Sequence, residues 1–202
     1  MGPRDLTDAL ASMPIVVALR GIQENEVYDV GQVLRECGIT VFEVPIRTKN
    51  AAISPVDADA INSLNKFIEV FGEDVNLSAG TVMRLEDLSI LAKMGIKICL
   101  APILNPSVIS AAGELGISFI PGVETVSEAM SAITSGAHGL KLFPAVFREP
   151  NGNITVRHSP GYVRYLAKFV SCPIFPSGDA FLNDLPATYL AAGASGINVG
   201  AQ

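Results

Sequence analysis

Eight short apolar runs, each set off from the next by an amphipathic stretch, leave this chain few folds to adopt. The runs are residues 15–20, 40–46, 75–80, 97–101, 117–120, 139–143, 173–177 and 195–199. Most are continuous in Val, Ile and Leu rather than alternating, the pattern of strands covered on both faces, and such strands occur in parallel sheets. Between them apolar residues recur at helical spacing and stop at Gly38, Gly72, Gly95, Gly116, Gly136 and Gly193, where a left-handed helix cap is expected. Eight such units suit a closed barrel better than an open doubly wound sheet. No G-x-G-x-x-G follows the first run, so a dinucleotide-binding sheet loses its main support. The expectation is α/β: a single-domain (β/α)8 TIM barrel over residues 1–202, shorter than the roughly 250 residues typical of that fold. The eighth run ends almost at Gln202, so a barrel lacking its final helix is expected.

Composition removes several classes of function. A hydrophobic content of 49% supports a large core rather than disorder. The net charge is −6 and no basic cluster occurs, which argues against a nucleic-acid partner. No run approaches the roughly 18 apolar residues of a membrane span, and residues 1–5 hold no apolar signal core. A cytoplasmic protein without a membrane partner is expected. Cys37, Cys99 and Cys172 are odd in number and scattered, so they read as buried free thiols rather than as a disulfide or zinc set. His138 and His158 stand alone, so no metal site is expected. His138 is placed at the exposed end of a helix–strand loop.

Polar residues inside the apolar runs narrow the chemistry. Lys141 lies within Gly-Leu-Lys-Leu-Phe-Pro-Ala, residues 139–145. Strand alternation puts Gly139, Lys141 and Phe143 on one face and Leu140 and Leu142 on the other. With both faces covered, low dielectric favours the neutral amine, a nucleophile towards carbonyls. A lysine snorkelling to solvent fits the same run. In the second run, Val41, Glu43, Pro45 and Arg47 share one face, while Phe42, Val44 and Ile46 share the face that packs on helices. Glu43 therefore points into the barrel, where a buried carboxylate needs a partner, and Lys141 is the expected one. Other polar residues fall at strand C-terminal ends, where barrels of this class place their sites: Arg20, Arg47, Thr81 and Ser177-Gly178-Asp179.

Five segments occur in order: PIVVALRGI at 14–22, FEVPIRT at 42–48, AGTV at 79–82, IPGV at 120–123 and LKLFPA at 140–145. Together they resemble the class I 2-keto-3-deoxy-6-phosphogluconate / 4-hydroxy-2-oxoglutarate aldolase family, with residues 19–22 and Glu43-Val-Pro leaning towards its 2-dehydro-3-deoxy-6-phosphogalactonate branch. The likeness covers residues 12–145 well and 170–200 loosely. It implies a cofactor-free homotrimer of (β/α)8 subunits that cleaves a small keto-acid to pyruvate and an aldehyde, glyceraldehyde 3-phosphate for the phosphorylated substrates. Alternatives are an aldolase for a non-phosphorylated 4-hydroxy-2-oxo acid and a catalytically degenerate barrel that binds small molecules. By the resemblance, Lys141 matches the Schiff-base lysine and Glu43 the proton-shuttling glutamate. Thr81 and Arg47 match positions near the pyruvate carboxylate, Arg20 a substrate-binding arginine, and Gly178 and Gly200 the phosphate loops. Pro102, Phe143 and Ser177 complete the implied substrate-binding set. Asp179 and Ala201 stand where the family has Gly and Ser, and the segments 49–59 and 149–164 are long. The Asp179 carboxylate is expected to weaken the phosphate site.

Overall fold

The structure, a computed structural model, describes residues 10, 13–48, 54–179, 181 and 183–201. The elements in chain order are β1 (Ile15–Leu19), α1 (Val27–Glu36), β2 (Val41–Pro45), α2 (Ala58–Phe71), β3 (Asn76–Gly80), α3 (Leu85–Lys93), β4 (Ile98–Leu100), α4 (Pro106–Glu114), β5 (Ser118–Ile120), β6 (Gly122–Val123), α5 (Val126–Thr134), β7 (Leu140–Arg148), β8 (Ile154–Val156), α6 (Pro160–Leu166), β9 (Ile174–Gly178), α7 (Leu185–Ala191) and β10 (Ile197–Ala201). Helix starts follow local chemistry. Thr125 and Glu128 form a reciprocal capping box at α5, and Pro106 follows the Asn105 cap of α4.

The strands run β5-β4-β3-β2-β1-β10-β9-β7-β6 around the sheet. Only Pro121 separates β5 from β6, so both ends of that order belong to one segment. Its first half pairs with β4 and its second half with β7, both in parallel, which closes the sheet into a barrel. Pro121 still contributes its carbonyl, which accepts the Lys141 N–H at 2.9 Å. At the seam a Cβ on Gly122 would lie 2.3 Å from the Pro102 carbonyl, so only glycine permits this approach.

Strand alternation sorts the side chains as the sequence predicts. Phe42, Val44 and Ile46 join the helix-facing core with Leu64, Phe67 and Leu91. Inside the barrel, Leu10, Val16, Val41, Ile98, Leu100, Ile120 and Phe175 form a separate apolar cluster. Burying each Val, Leu, Ile or Phe contributes about 1.5–3 kcal/mol. Glu43 follows Val41 on the same face of β2, and Glu43, Lys141, Ser177 and Asn198 are all buried.

Three details differ from the sequence expectation. The sixth run continues through Pro144 to Arg148 instead of ending at Phe143. The ladder to β9 shifts register between Leu142 and Val146, and Pro144 falls in that irregularity, where its missing N–H is tolerated. Beyond it β7 forms an antiparallel hairpin with β8, so the long 149–164 segment is a hairpin arm and a helix start. Cys37 is exposed rather than buried, because it caps α1 just past the last turn, while Cys99 is buried and Cys172 half-buried. His138 is exposed, in line with its expected loop position. Residues 49–53 of the 49–59 insertion lie outside the described residues.

An ion pair fixes the loop after β3. Arg47 and Asp87 side chains are each 2% exposed. Arg47 donates Nη1 to Asp87 Oδ2 at 2.8 Å and Nη2 to Asp87 Oδ1 at 2.7 Å. It also donates Nε to the Ser54 carbonyl at 3.0 Å and Nη1 to the Thr81 carbonyl at 3.4 Å. Asp87 further accepts the Met83 and Arg84 N–H groups at 3.1 Å. Between these groups Thr81 holds φ at 58°, uncommon for a β-branched residue. Burial alone would raise the Asp87 carboxyl, but the Arg47 hydrogen bonds, the Met83 N–H, the Arg47 charge and the Arg84 N–H outweigh it and hold it below its ordinary range.

Asp87→Asn leaves a buried guanidinium without its counter-charge, and we expect a loss of about 3–5 kcal/mol at neutral pH in urea denaturation. Because the folded carboxyl is depressed, its stabilisation is present above the unfolded value, about 3.9, and fades as pH falls below it. The gap between wild type and variant should therefore narrow below about pH 4. A gap that stays constant down to pH 3 contradicts this account of the pair.

Candidate active site

β7 and β2 bring together two residues that lie 98 positions apart in the sequence. Lys141 Nζ lies 3.2 Å from Glu43 Oε1 and 3.3 Å from Oε2. The lysine side chain is 8% exposed and the glutamate 2%, so the amine does not snorkel to solvent. Nζ also sits 5.5 Å from the Phe143 ring centroid, within cation–π range, as their shared strand face requires. Gly122 of β6 flanks Lys141 on one side and Phe175 of β9 on the other. Glu43 lies between Ala18 of β1 and Ser78 of β3. Its carboxylate occupies the space over Gly80, where a Cβ would come within 2.0 Å of Oε1.

Sequence reading missed a third member of this group. Asn198, in the middle of β10, donates Nδ2 to Glu43 Oε2, and its Oδ1 accepts the Ser177 hydroxyl at 3.0 Å. The direction of this chain follows from the carboxylate, which has only acceptors when ionised, so the amide nitrogen must face it. The signal was available: Asn is depleted in strand interiors, and Ile197-Asn198-Val199 interrupts an apolar run as Glu43 and Lys141 do.

The remaining candidates fall into different settings. Thr81 sits at the end of β3, 9% exposed, in the turn held by Arg47. Arg47 itself is committed to four hydrogen bonds with Asp87, Thr81 and Ser54. Arg20 is exposed just beyond β1, beside the end of β10 where Leu19 pairs with Ala201. Pro102 is half-buried against Gly122, and Ser177 is buried against Asn198. Gly178 is required by β7, because a Cβ there would lie 1.9 Å from the Val146 carbonyl oxygen. Asp179 Oδ1 accepts the Arg148 N–H at 3.1 Å, which ties the end of β9 to the hairpin. Gly200 lies near it, its Cβ position 3.6 Å from the Gly178 oxygen.

A second polar group, also unforeseen, follows β6. Glu124 accepts from Arg157 Nε at 2.5 Å and lies 3.3 Å from His158 Nε2. Tyr162 donates to the Glu124 carbonyl at 2.9 Å, and the Tyr189 hydroxyl donates to the His158 carbonyl. Burial pushes the Tyr189 phenol up to about 12. Burial likewise pushes the Cys99 thiol up, which makes it a packing residue rather than a nucleophile. Among the described residues no group of three or more His, Cys, Asp or Glu could hold a metal ion. A buried amine and a carboxylate in contact are, chemically, a nucleophile towards carbonyls beside an acid/base group.

Comparison with known proteins shows what the chain as a whole is similar to. A 2-dehydro-3-deoxy-6-phosphogalactonate aldolase of Escherichia coli (strain K12) is 31% identical over 134 residues, 66% of this chain and 60% of that protein. A probable aldolase of the same name from Rhizobium meliloti (strain 1021) is 33% identical over 144 residues, 71% of this chain and 64% of that protein. The chain thus spans less than two thirds of the length of these curated relatives. Among solved structures, one described as "Native KDPGal structure" has a TM-score of 0.77 at 25% identity, covering 93% of this chain and 82% of that one. The family described as KDPG and KHG aldolase matches residues 6–202. With nearly its whole length matched, the chain belongs to the KDPG and KHG aldolase family.

Proposed function

We propose that the chain is a class I aldolase, an aldehyde-lyase, that uses Lys141 as Schiff-base nucleophile and Glu43 as proton shuttle. The observation that carries this reading is the buried contact of Lys141 Nζ with both Glu43 oxygens, at 3.2 and 3.3 Å. Glu43 takes a proton from the ammonium, and the freed amine attacks the C2 ketone of a 2-keto-3-deoxy acid. Glu43 returns that proton to the carbinolamine hydroxyl, which leaves as water, and the resulting iminium draws electrons from C3. Glu43, directly or through water, then removes the C4 hydroxyl proton as C3–C4 breaks and the aldehyde leaves. The enamine takes a proton back at C3, and hydrolysis frees pyruvate. The iminium is the electron sink of this sequence, and the residues described supply its proton transfers.

The named relatives support a 6-phosphorylated substrate, for which the resemblance implies glyceraldehyde 3-phosphate as the second product. In this reading Thr81 and its strained turn meet the pyruvate carboxylate, and Arg47 acts through that turn by way of Asp87. Phe143 and Pro102 flank the keto-acid, and Arg20, Ser177, Gly178 and Gly200 line the path to its far end. The homotrimer that the resemblance implies and the cytoplasmic location expected from the sequence are part of the same proposal. No helix among the described residues is long and apolar enough to cross a membrane.

Incubation with pyruvate and borohydride should add a reduced pyruvyl group to Lys141, because borohydride captures the iminium. Lys141→Met, whose linear apolar chain fits the same slot, should abolish the label. Labelling of a different lysine, or active protein without label, would sink the proposal.

One observation favours a second reading, in which the substrate carries no phosphate. Gly178 is filled against by Val146 and followed by the Asp179 carboxylate, where the resemblance puts an anion cradle. A carboxylate about 5 Å from a phosphate dianion is repelled by more than about 1 kcal/mol even at the dielectric of water. Asp179→Asn keeps the acceptor for the Arg148 N–H and removes the charge. On this reading it should raise kcat/KM for a phosphorylated keto-acid by about tenfold and leave the plain form unchanged. A wild-type preference of about a thousandfold or more for the phosphorylated form, unaltered in Asp179→Asn, would favour the first reading.

A further inference from the structure

Asn198 is a buried polar residue to which the proposed chemistry assigns no part. It is 1% exposed, and both ends of its amide are engaged inside the barrel. Burying an amide costs free energy unless it is paired, and an apolar residue would serve a strand interior better. Here the pairing is directed. Ser177 holds Oδ1 at 3.0 Å, and Nδ2 is thereby aimed at Glu43 Oε2. Around the carboxylate stand Lys141 from β7, Asn198 from β10 and Gly80 from β3, and Lys141 is the charged group in contact with it.

We infer that Asn198 is a positioning residue for the proton transfers of Glu43. The inference rests on the aldolase reading. In the step concerned, the pyruvate iminium on Lys141 loses a C3 proton to Glu43. The C–H pair becomes the C2=C3 bond of the enamine, and the C=N π pair returns to nitrogen. The reverse step returns a proton to C3, and no further reactant is consumed. The last torsion of a glutamate is broad and two-fold, so a carboxylate held only by a flexible lysine is free to turn. Asn198 ties Oε2 in place. A proton on Oε2 would compete with the Asn198 bond, which leaves Oε1, 3.2 Å from Nζ, as the oxygen that carries it. Ser177 acts one step further out, by fixing which end of the amide faces Glu43.

Exchange of the pyruvate C3 protons in D2O, followed by NMR on the full chain, tests this without knowledge of the aldehyde. Asn198→Asp keeps size and shape but loses the N–H donor, and Asn198→Ala removes the amide. The maximal exchange rate should fall about 10–100-fold in both, with the half-saturating pyruvate concentration changed by less than about threefold. Ser177→Ala should show a smaller loss of the same kind. Borohydride trapping at Lys141 is measured in parallel. Exchange at the wild-type rate in Asn198→Asp, or a loss confined to pyruvate affinity, overturns the assignment. Wild-type protein that fails to label Lys141 brings down the aldolase reading and this inference with it. Wild-type protein that labels and exchanges, with variants that match it, brings down only the role of Asn198.

Discussion

A charge pair inside a barrel governs much of this structure. Removing a carboxylate and an ammonium from water costs several kcal/mol per ion, and their mutual attraction often does no more than offset it. Apolar residues of similar volume at positions 43 and 141 would be at least as stable. The chain nevertheless surrounds the pair with supporting groups: Asn198 and Ser177 on one side, Phe143 on the other, and a glycine at position 80 that makes room for the carboxylate. Each of these is intelligible only if Glu43 and Lys141 must meet. The pair therefore reads as a requirement of chemistry that the fold accommodates, and the aldolase proposal supplies that chemistry.

Support for the site extends outward in three directions. At the seam, Pro121 breaks one strand so that its halves can pair with β4 and β7, and its carbonyl holds the backbone N–H of Lys141. At the far side, Arg47 and Asp87 hold the turn at Thr81 in a backbone conformation that threonine rarely adopts. An arginine that the family resemblance places near a carboxylate here spends its hydrogen bonds on the protein. The β7–β8 hairpin adds a third contact, closing on Gly178 and Asp179. The mouth of the barrel is thus shaped by the Arg47–Asp87 pair and the β7–β8 hairpin as well as by the strand ends.

Much of this was legible in the sequence because the relevant signals are local. Strand alternation alone sorts Phe42, Val44 and Ile46 from Val41 and Glu43, and helix-ending glycines mark the units. Lys141 and Glu43 stood out because a charged residue in an apolar run must find a partner. Asn198 carried the same signal more weakly, since a neutral amide needs hydrogen bonds but no counter-charge. What the sequence hid depends on contacts between distant segments. Nothing local to Arg47 reveals Asp87, forty residues away. Pro144 suggested a strand end, whereas the register shift against β9 that accommodates it arises only once the barrel forms. The hairpin of 149–164 was hidden because its strand is only three residues long.

The central claim is that Glu43 moves the protons for an iminium on Lys141. Glu43→Gln tests it most directly, because it preserves shape and hydrogen bonding and removes only the ability to take a proton. With a competent keto-acid, turnover should fall by about 10²–10⁴, with a much smaller change in KM. Turnover close to wild type in Glu43→Gln would place the base elsewhere and contradict the account.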